Sequence, residues 1–164
     1  MKTLYILRHA KSSWRFEELS DHDRPLNKRG RSDATLMGQE LASKGVKVNL
    51  IISSPAVRAL TTATLVGKEM SYEADDIVVD ERIYGADKND LLEVAQSAPV
   101  EADFLMLVGH NEALSDFANM LAPEHIATLP TTGIVGLQFD CESWYDISKD
   151  NATLLFYDFP KNYK

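Results

Sequence analysis

Short apolar runs alternate with amphipathic stretches along most of this chain. Leu4 to Leu7 and Phe104 to Val108 are continuously apolar, as strands buried on both faces are, and Val48 to Ile52 and Ile77 to Val79 read the same way. Between them the apolar positions recur at helical spacing. Ala34, Met37, Gly38 and Leu41 form one stripe, which Asn27 can cap and which ends near Gly45. Ser54 and Pro55 read as the cap and first residue of a second helix. Asp87 can cap a third, carrying Leu91, Leu92, Val94 and Ala95, and a fourth carries Ala113, Leu114, Phe117, Ala118 and Leu121. Residues 10–26 are polar, aromatic and loop-like. Ile134 to Phe139 and Thr153 to Tyr157, joined by a polar segment, predict an antiparallel hairpin at a sheet edge.

Strands separated by helices imply a three-layer α/β fold: a mostly parallel, doubly wound sheet with an antiparallel C-terminal edge. The 164 residues suffice for one domain, 1–164, with its own core, and neither a repeat nor a linker divides them. In such sheets ligands bind beyond the carboxyl ends of the strands, so chemistry is to be sought there.

Composition narrows the field. The net charge is −8 without a run of Lys or Arg, which argues against nucleic acid or an anionic membrane as partner. The lone Cys141 cannot form an intramolecular disulfide and reads as an inert thiol. The apolar run at the start stops at Arg8-His9, short of a secretory core, and no stretch approaches a membrane span, so a cytoplasmic location is expected.

Three strands then deliver unusual residues to one edge. The first runs into Arg8-His9, the second through Ser53-Ser54 toward Arg58, and the fourth into Gly109-His110-Asn111. Singly, each arginine could be an ion-pair partner and each histidine a hydrogen-bonded core residue. Jointly they make a cationic cup in an acidic protein. Arginine matches phosphate oxygens with a planar fork of donors, and histidine can be a nucleophile or a charged donor near neutrality. That set suits phosphoryl transfer, where fixed donors around the equatorial oxygens supply most of the catalysis. The residues alone leave open which histidine attacks.

Leu7-Arg8-His9-Ala10-Lys11 resembles the Arg-His-Gly signature of the histidine phosphatase superfamily, the phosphoglycerate mutase-like proteins. Ser53 to Ala59 resembles its second arginine motif, and Val108-Gly109-His110-Asn111 its second histidine motif. The short chain, Asp23-Arg24-Pro25-Leu26 and Ile83-Tyr84-Gly85-Ala86 are similar to the SixA-type phosphohistidine phosphatases. The resemblance implies that His9 is the nucleophile and that Arg8, Arg58 and His110 bind the phosphoryl group. The pattern departs from the larger relatives at Ala10 and Lys11, while Arg15 falls near their phosphate-touching asparagine. Lys11, Arg15 and Asn111 are therefore further candidates for substrate binding. Those relatives carry a glutamate acid where this chain has only Asp80, Glu81 and Asp87 out of register, and Glu81 is the best match.

A missing acid favours a substrate whose leaving group departs with little help, such as the imidazole of phosphohistidine. The expected function is therefore removal of phosphate from phosphohistidine on a phosphotransfer or carrier protein. A broad phosphatase or mutase acting on small phosphate esters, and a non-catalytic phosphate-binding module, are the alternatives. No metal or cofactor is expected, since no histidine pair has ligand spacing. His22 and His125 match no motif and are expected at the surface. Arg24 either reaches the pocket or anchors its loop, and Ser12-Ser13-Trp14 either rims the pocket or forms a turn packed under Trp14.

Overall fold

The computed structural model describes all 164 residues. Six strands form one sheet: β1 (Lys2–Arg8), β2 (Leu50–Ser53), β3 (Val78–Val79), β4 (Phe104–Gly109), β5 (Ile134–Phe139) and β6 (Ala152–Asp158), in the order β3-β2-β4-β1-β5-β6. The first four are mutually parallel, while β5 runs antiparallel to both β1 and β6. The antiparallel hairpin thus lies at the C-terminal edge, as the sequence predicts, but β5 is an interior strand and only β6 is the edge.

Four helices cover the sheet: α1 (Lys28–Ser43), α2 (Val57–Glu69), α3 (Lys88–Gln96) and α4 (Ala113–Leu121). Alternation along the strands divides the core in two. Leu4, Ile6, Leu105 and Leu107 face Leu91, Val94, Phe117 and Ala118 of α3 and α4. Tyr5, Leu7, Met106 and Val108 face Ala34, Met37, Ala59 and Val66 of α1 and α2. Both faces of β1 and β4 are buried, which is why their sequences are continuous apolar runs rather than alternating ones. By contrast β3, expected to be a buried strand, is a two-residue edge strand with Val78 and Val79 exposed. No helix is long and apolar enough to cross a membrane.

The helix starts follow local chemistry. The Asn27 side chain accepts from Gly30 N, and Asp87 and Asp90 form a reciprocal capping box at α3. Gly45, at φ 73°, turns the chain after α1 without steric cost. The start of α2 differs from expectation. Its cap is Ala56, and Ser54 lies before the helix, its hydroxyl accepting from Ala56 N and also meeting His110.

Candidate active site

Register places the ends of three strands side by side: Arg8 pairs with Gly109 across β1 and β4, and Ser53 with Val108 across β2 and β4. The residues that follow, His9, Ser54 and His110, therefore emerge at neighbouring points on the carboxyl rim. The His9 backbone is fixed on both sides, its N–H donating to Gly109 O at 3.0 Å and its carbonyl accepting from Thr132 N at 3.1 Å. Thr62, wholly buried, ties this segment to α2: its hydroxyl accepts from Ala10 N and donates to Arg58 O. The nucleophile candidate is thus held by two backbone bonds, and its neighbour Ala10 by a side chain of α2.

The two imidazoles face one another with centroids 5.2 Å apart and planes inclined by 53°. His9 Nδ1 lies 2.7 Å from Ala10 O. A carbonyl can only accept, so this nitrogen carries the proton and Nε2 keeps its lone pair. His110 Nε2 lies 2.8 Å from the hydroxyl of the wholly buried Ser54, while its Nδ1 has no partner. Burial, then the charges of Arg58, Arg8 and Arg24, hold the His9 pKa down at about 4, against the backbone bond to Ala10. His110 is depressed to about 3, chiefly by burial, then by His9 and Arg58, while Asp21 acts in the opposite sense.

Three guanidinium groups surround the pair. Arg8 is anchored by Nη1 on Leu129 O at 2.9 Å. Arg58, only 6% exposed, donates from Nη1 to Asp21 O at 2.6 Å and from Nη2 to Asp21 Oδ2 at 3.0 Å. Arg24 belongs to the site as well as anchoring its loop. It is 8% exposed, bonds to Ser12 Oγ and Asp21 Oδ1, and lies under the Trp14 ring at 3.7 Å. Trp14 itself is 75% exposed, so it is a rim residue laid over Arg24 and not the centre of a packed turn. The Nε atoms of Arg8, Arg24 and Arg58, together with His110 Nδ1 and Thr132 Oγ1, are buried and find no partner in the protein. Buried donors are almost always satisfied, so this concentration of free ones fits the oxygens of a tetrahedral anion.

The remaining sequence candidates are distributed differently. Asn111 uses its amide on Leu129 O and Ser115 Oγ, at 2.8 Å each. It thereby shares Leu129 O with Arg8 and braces that arginine through the backbone. Lys11 is exposed. Arg15 is also exposed and lines a separate cleft of about 390 Å³ with Phe16, Lys28 and Arg31. Neither is among the largest influences on His9 or His110. Glu81 is exposed and its side chain makes no hydrogen bond to the pocket. The carboxylate that does reach the site is Asp21, which also accepts from Tyr84 Oη at 2.7 Å. Tyr84 stands edge-on to His110 at 5.7 Å and to His22 at 5.2 Å, so His22, at the surface as the sequence predicts, also borders the mouth.

Sequence reading missed Ser54, assigned to a cap, and Asp21, Tyr84 and Thr62, whose roles arise from contacts 52 to 63 residues apart or, for Asp21, with Arg58 37 residues on. The three-residue spacing of Asp21 and Arg24 before Pro25 is the one local signal that could have found the first pair. No group of three or more His, Cys, Asp or Glu side chains is arranged to hold a metal ion. The largest cavity, about 400 Å³, lies beside Leu41, Phe156 and Tyr163, and none of the five cavities is lined by His9, Arg58 or His110.

Residues 4–104 match the model of the histidine phosphatase superfamily (branch 1). An uncharacterized chloroplastic protein of Arabidopsis thaliana is 33% identical over 87% of this chain and 69% of its own. A protein assigned as the phosphohistidine phosphatase SixA of Agrobacterium tumefaciens superposes with a TM-score of 0.75 at 26% identity, covering 96% of this chain and 97% of the other. The protein histidine phosphatase SixA solved with tungstate superposes at 0.81 with 22% identity, over 99% of both chains. The chain belongs to the histidine phosphatase superfamily. Within it, the fold is that of the SixA proteins.

Proposed function

We propose that this protein is a metal-independent phosphohistidine phosphatase, acting in the cytoplasm on phosphohistidine displayed by another protein. His9 Nε2 attacks phosphorus, and the N–P bond to the substrate imidazole breaks with its electron pair going to the leaving nitrogen. Where the other ring nitrogen of the substrate carries a proton, the leaving group departs as neutral imidazole and needs no acid from the enzyme. Water then attacks phospho-His9. The Nε2–P bond returns its electrons to His9, the water proton passes to the phosphate, and inorganic phosphate leaves. Arg8, Arg58 and His110 bind the equatorial oxygens throughout.

The observation that carries this reading is the pair of facing imidazoles inside a ring of buried guanidinium groups with free donors. One imidazole is held neutral with its attacking nitrogen free, as an uncharged nucleophile requires.

The preference for phosphohistidine rests on Asp21. Its hydrogen bonds from Tyr84 and Arg58 hold its pKa at about 2 despite partial burial, so it is ionised at neutral pH and has no proton to give. Alkyl esters need such a proton on departure and imidazole does not. A site outside the five cavities of the molecule also suits a side chain presented by a second protein.

The test is a panel of a phosphohistidine protein, free phosphohistidine and alkyl phosphates, assayed with and without chelator. The expected order of kcat/KM places both phosphohistidine substrates well above the esters, with no effect of chelator. Esters turned over as fast, or activity lost to the chelator, would overturn the reading.

A further inference from the structure

A second concentration of positive charge lies beside the phosphate site. A cleft of about 390 Å³ is lined by Arg15, Lys28 and Arg31, with Ser13 and the exposed Phe16, and by no carboxylate. None of the three cations forms an ion pair. The chain carries 25 acidic and 17 basic residues, so an unpaired cationic cleft runs against its overall field. Helix stability does not account for it. Lys28 and Arg31 lie in the first turn of α1, where the partial positive charge of the helix end opposes them, and no acidic residue stands there. Glu17 and Glu18 follow Phe16 in the chain but do not line the cleft.

The wall between this cleft and the phosphate site is thin. Ser12 forms an antiparallel bridge with Leu26, and Ser13 N donates to Pro25 O at 2.8 Å. The Ser12 hydroxyl accepts from Arg24 on the side of the site, while Ser13, the next residue, lines the cleft. Ser13 is four residues beyond His9, so the chain limits their Cα separation to about 14 Å. The same loop exposes Trp14, Phe16 and Leu19. Arginine and exposed aromatic side chains are what protein-binding surfaces concentrate.

We propose that the cleft is a docking site for the phosphoprotein substrate, and that it takes acidic side chains lying a few residues from the phosphohistidine. The inference deepens the proposed function by naming the surface chemistry of the partner, and it rests on that reading. An extended segment rises about 3.3 Å per residue, so a carboxylate about four positions from the phosphohistidine reaches the cleft while phosphorus lies at His9. Two effects then act together. The unpaired guanidinium and ammonium groups attract the carboxylates, and the excess negative charge of the enzyme repels them elsewhere. Phe16 gives such a segment an apolar contact beside the charges. The cleft sets the approach of the partner, and the site beyond its wall performs the chemistry.

The experiment uses phosphohistidine peptides flanked by Glu, Gln or Lys about four positions to either side, with free phosphohistidine as the control. The wild type should turn over the Glu-flanked peptide with kcat/KM about tenfold above the Gln-flanked one, the scale of a few exposed ion pairs. The gain should lie in KM and vanish in about 1 M salt, where charges are screened within about 3 Å. Lys28→Glu combined with Arg31→Glu should reverse the order, favouring the Lys-flanked peptide, and leave free phosphohistidine turnover unchanged. Glutamate suits the first turn of a helix, so the variant keeps its fold, which urea unfolding checks. A wild type indifferent to the flanks overturns the proposal. So does a variant that loses turnover of free phosphohistidine as steeply as that of the acidic peptide. If the wild type hydrolyses no phosphohistidine compound, the proposed function fails by itself, and NMR titration with the unphosphorylated Glu-flanked peptide decides the docking site. Shifts centred on Phe16, Lys28 and Arg31 that the double variant loses support it; no shifts there, or equal ones from inorganic phosphate alone, refute it.

Discussion

At the scale of single residues, the site separates a nucleophile from its supports. His9 is 8% exposed and its side chain bonds only to the neighbouring carbonyl, so His9→Ala should abolish turnover while leaving the circular dichroism spectrum unchanged. Retained turnover would mean that another residue attacks. Ser54→Ala removes the single hydrogen bond to His110 Nε2 and also the acceptor for Ala56 N. A neutral bond of this kind is worth about 1 kcal/mol, so kcat should fall about fivefold, with a comparable loss in urea-unfolding free energy. Asn111→Ala should act more weakly on chemistry than on order, because its amide reaches Leu129 O and Ser115, and Arg8 feels it only through that shared carbonyl.

Elements set how tightly those residues are held. The first turn of α1 presses directly against the segment after His9: a Cβ on Gly30 would lie 2.1 Å from Lys11 O, a clash with backbone that no rotamer can relieve. Gly30→Ala should therefore cost about 1 to 3 kcal/mol of stability, as overpacking does, and should also depress kcat by shifting the backbone beside the nucleophile. Asn27→Ala is the control on the same turn. It loses the cap on Gly30 N, costs about 1 kcal/mol of stability, and should leave kcat unchanged. Urea unfolding and steady-state kinetics on the two variants check both statements. Equal effects on kcat would show that α1 stability as a whole, and not the contact with Lys11, supports the site.

Across the whole molecule, the buried histidines link stability to pH. In the unfolded chain each has a pKa near 6.5, while folded His9 titrates at about 4 and His110 at about 3. Between these limits the unfolded state binds more protons, so stability rises with pH across the window. It is fully present above about pH 6.5 and drains away as pH falls toward the folded values. Asp21 adds a separate loss below its ordinary value of 3.8, toward about 2, because protonation removes the charge its partners hold. The melting temperature should therefore decline from pH 7 to pH 4, and His9→Gln should flatten that decline; an unchanged slope would show that His9 is not buried in its neutral form.

Much of this architecture was legible in the chain itself. Apolar runs and helical stripes lie among adjacent residues, so the strands, the four helices and the caps at Asn27 and Asp87 follow from local spacing and side-chain chemistry. Arg8, His9 and His110 could be read because they lie within two residues of the end of an apolar run, and Arg58 because it lies at the start of the helix after another. Tertiary contact decided the rest. Residues 10–26 have no periodicity to betray their fold, and only the meeting of Asp21 with Arg58 and Tyr84, 37 and 63 residues away, makes them a wall of the site. Ser54 shows the limit in one residue: Ser-Pro ahead of an amphipathic stretch is a sound helix start, but the hydroxyl turns to His110, 56 residues on, because β2 and β4 are neighbours. Local sequence fixes what a segment can be; which long-range partner satisfies a buried polar group depends on the assembled sheet.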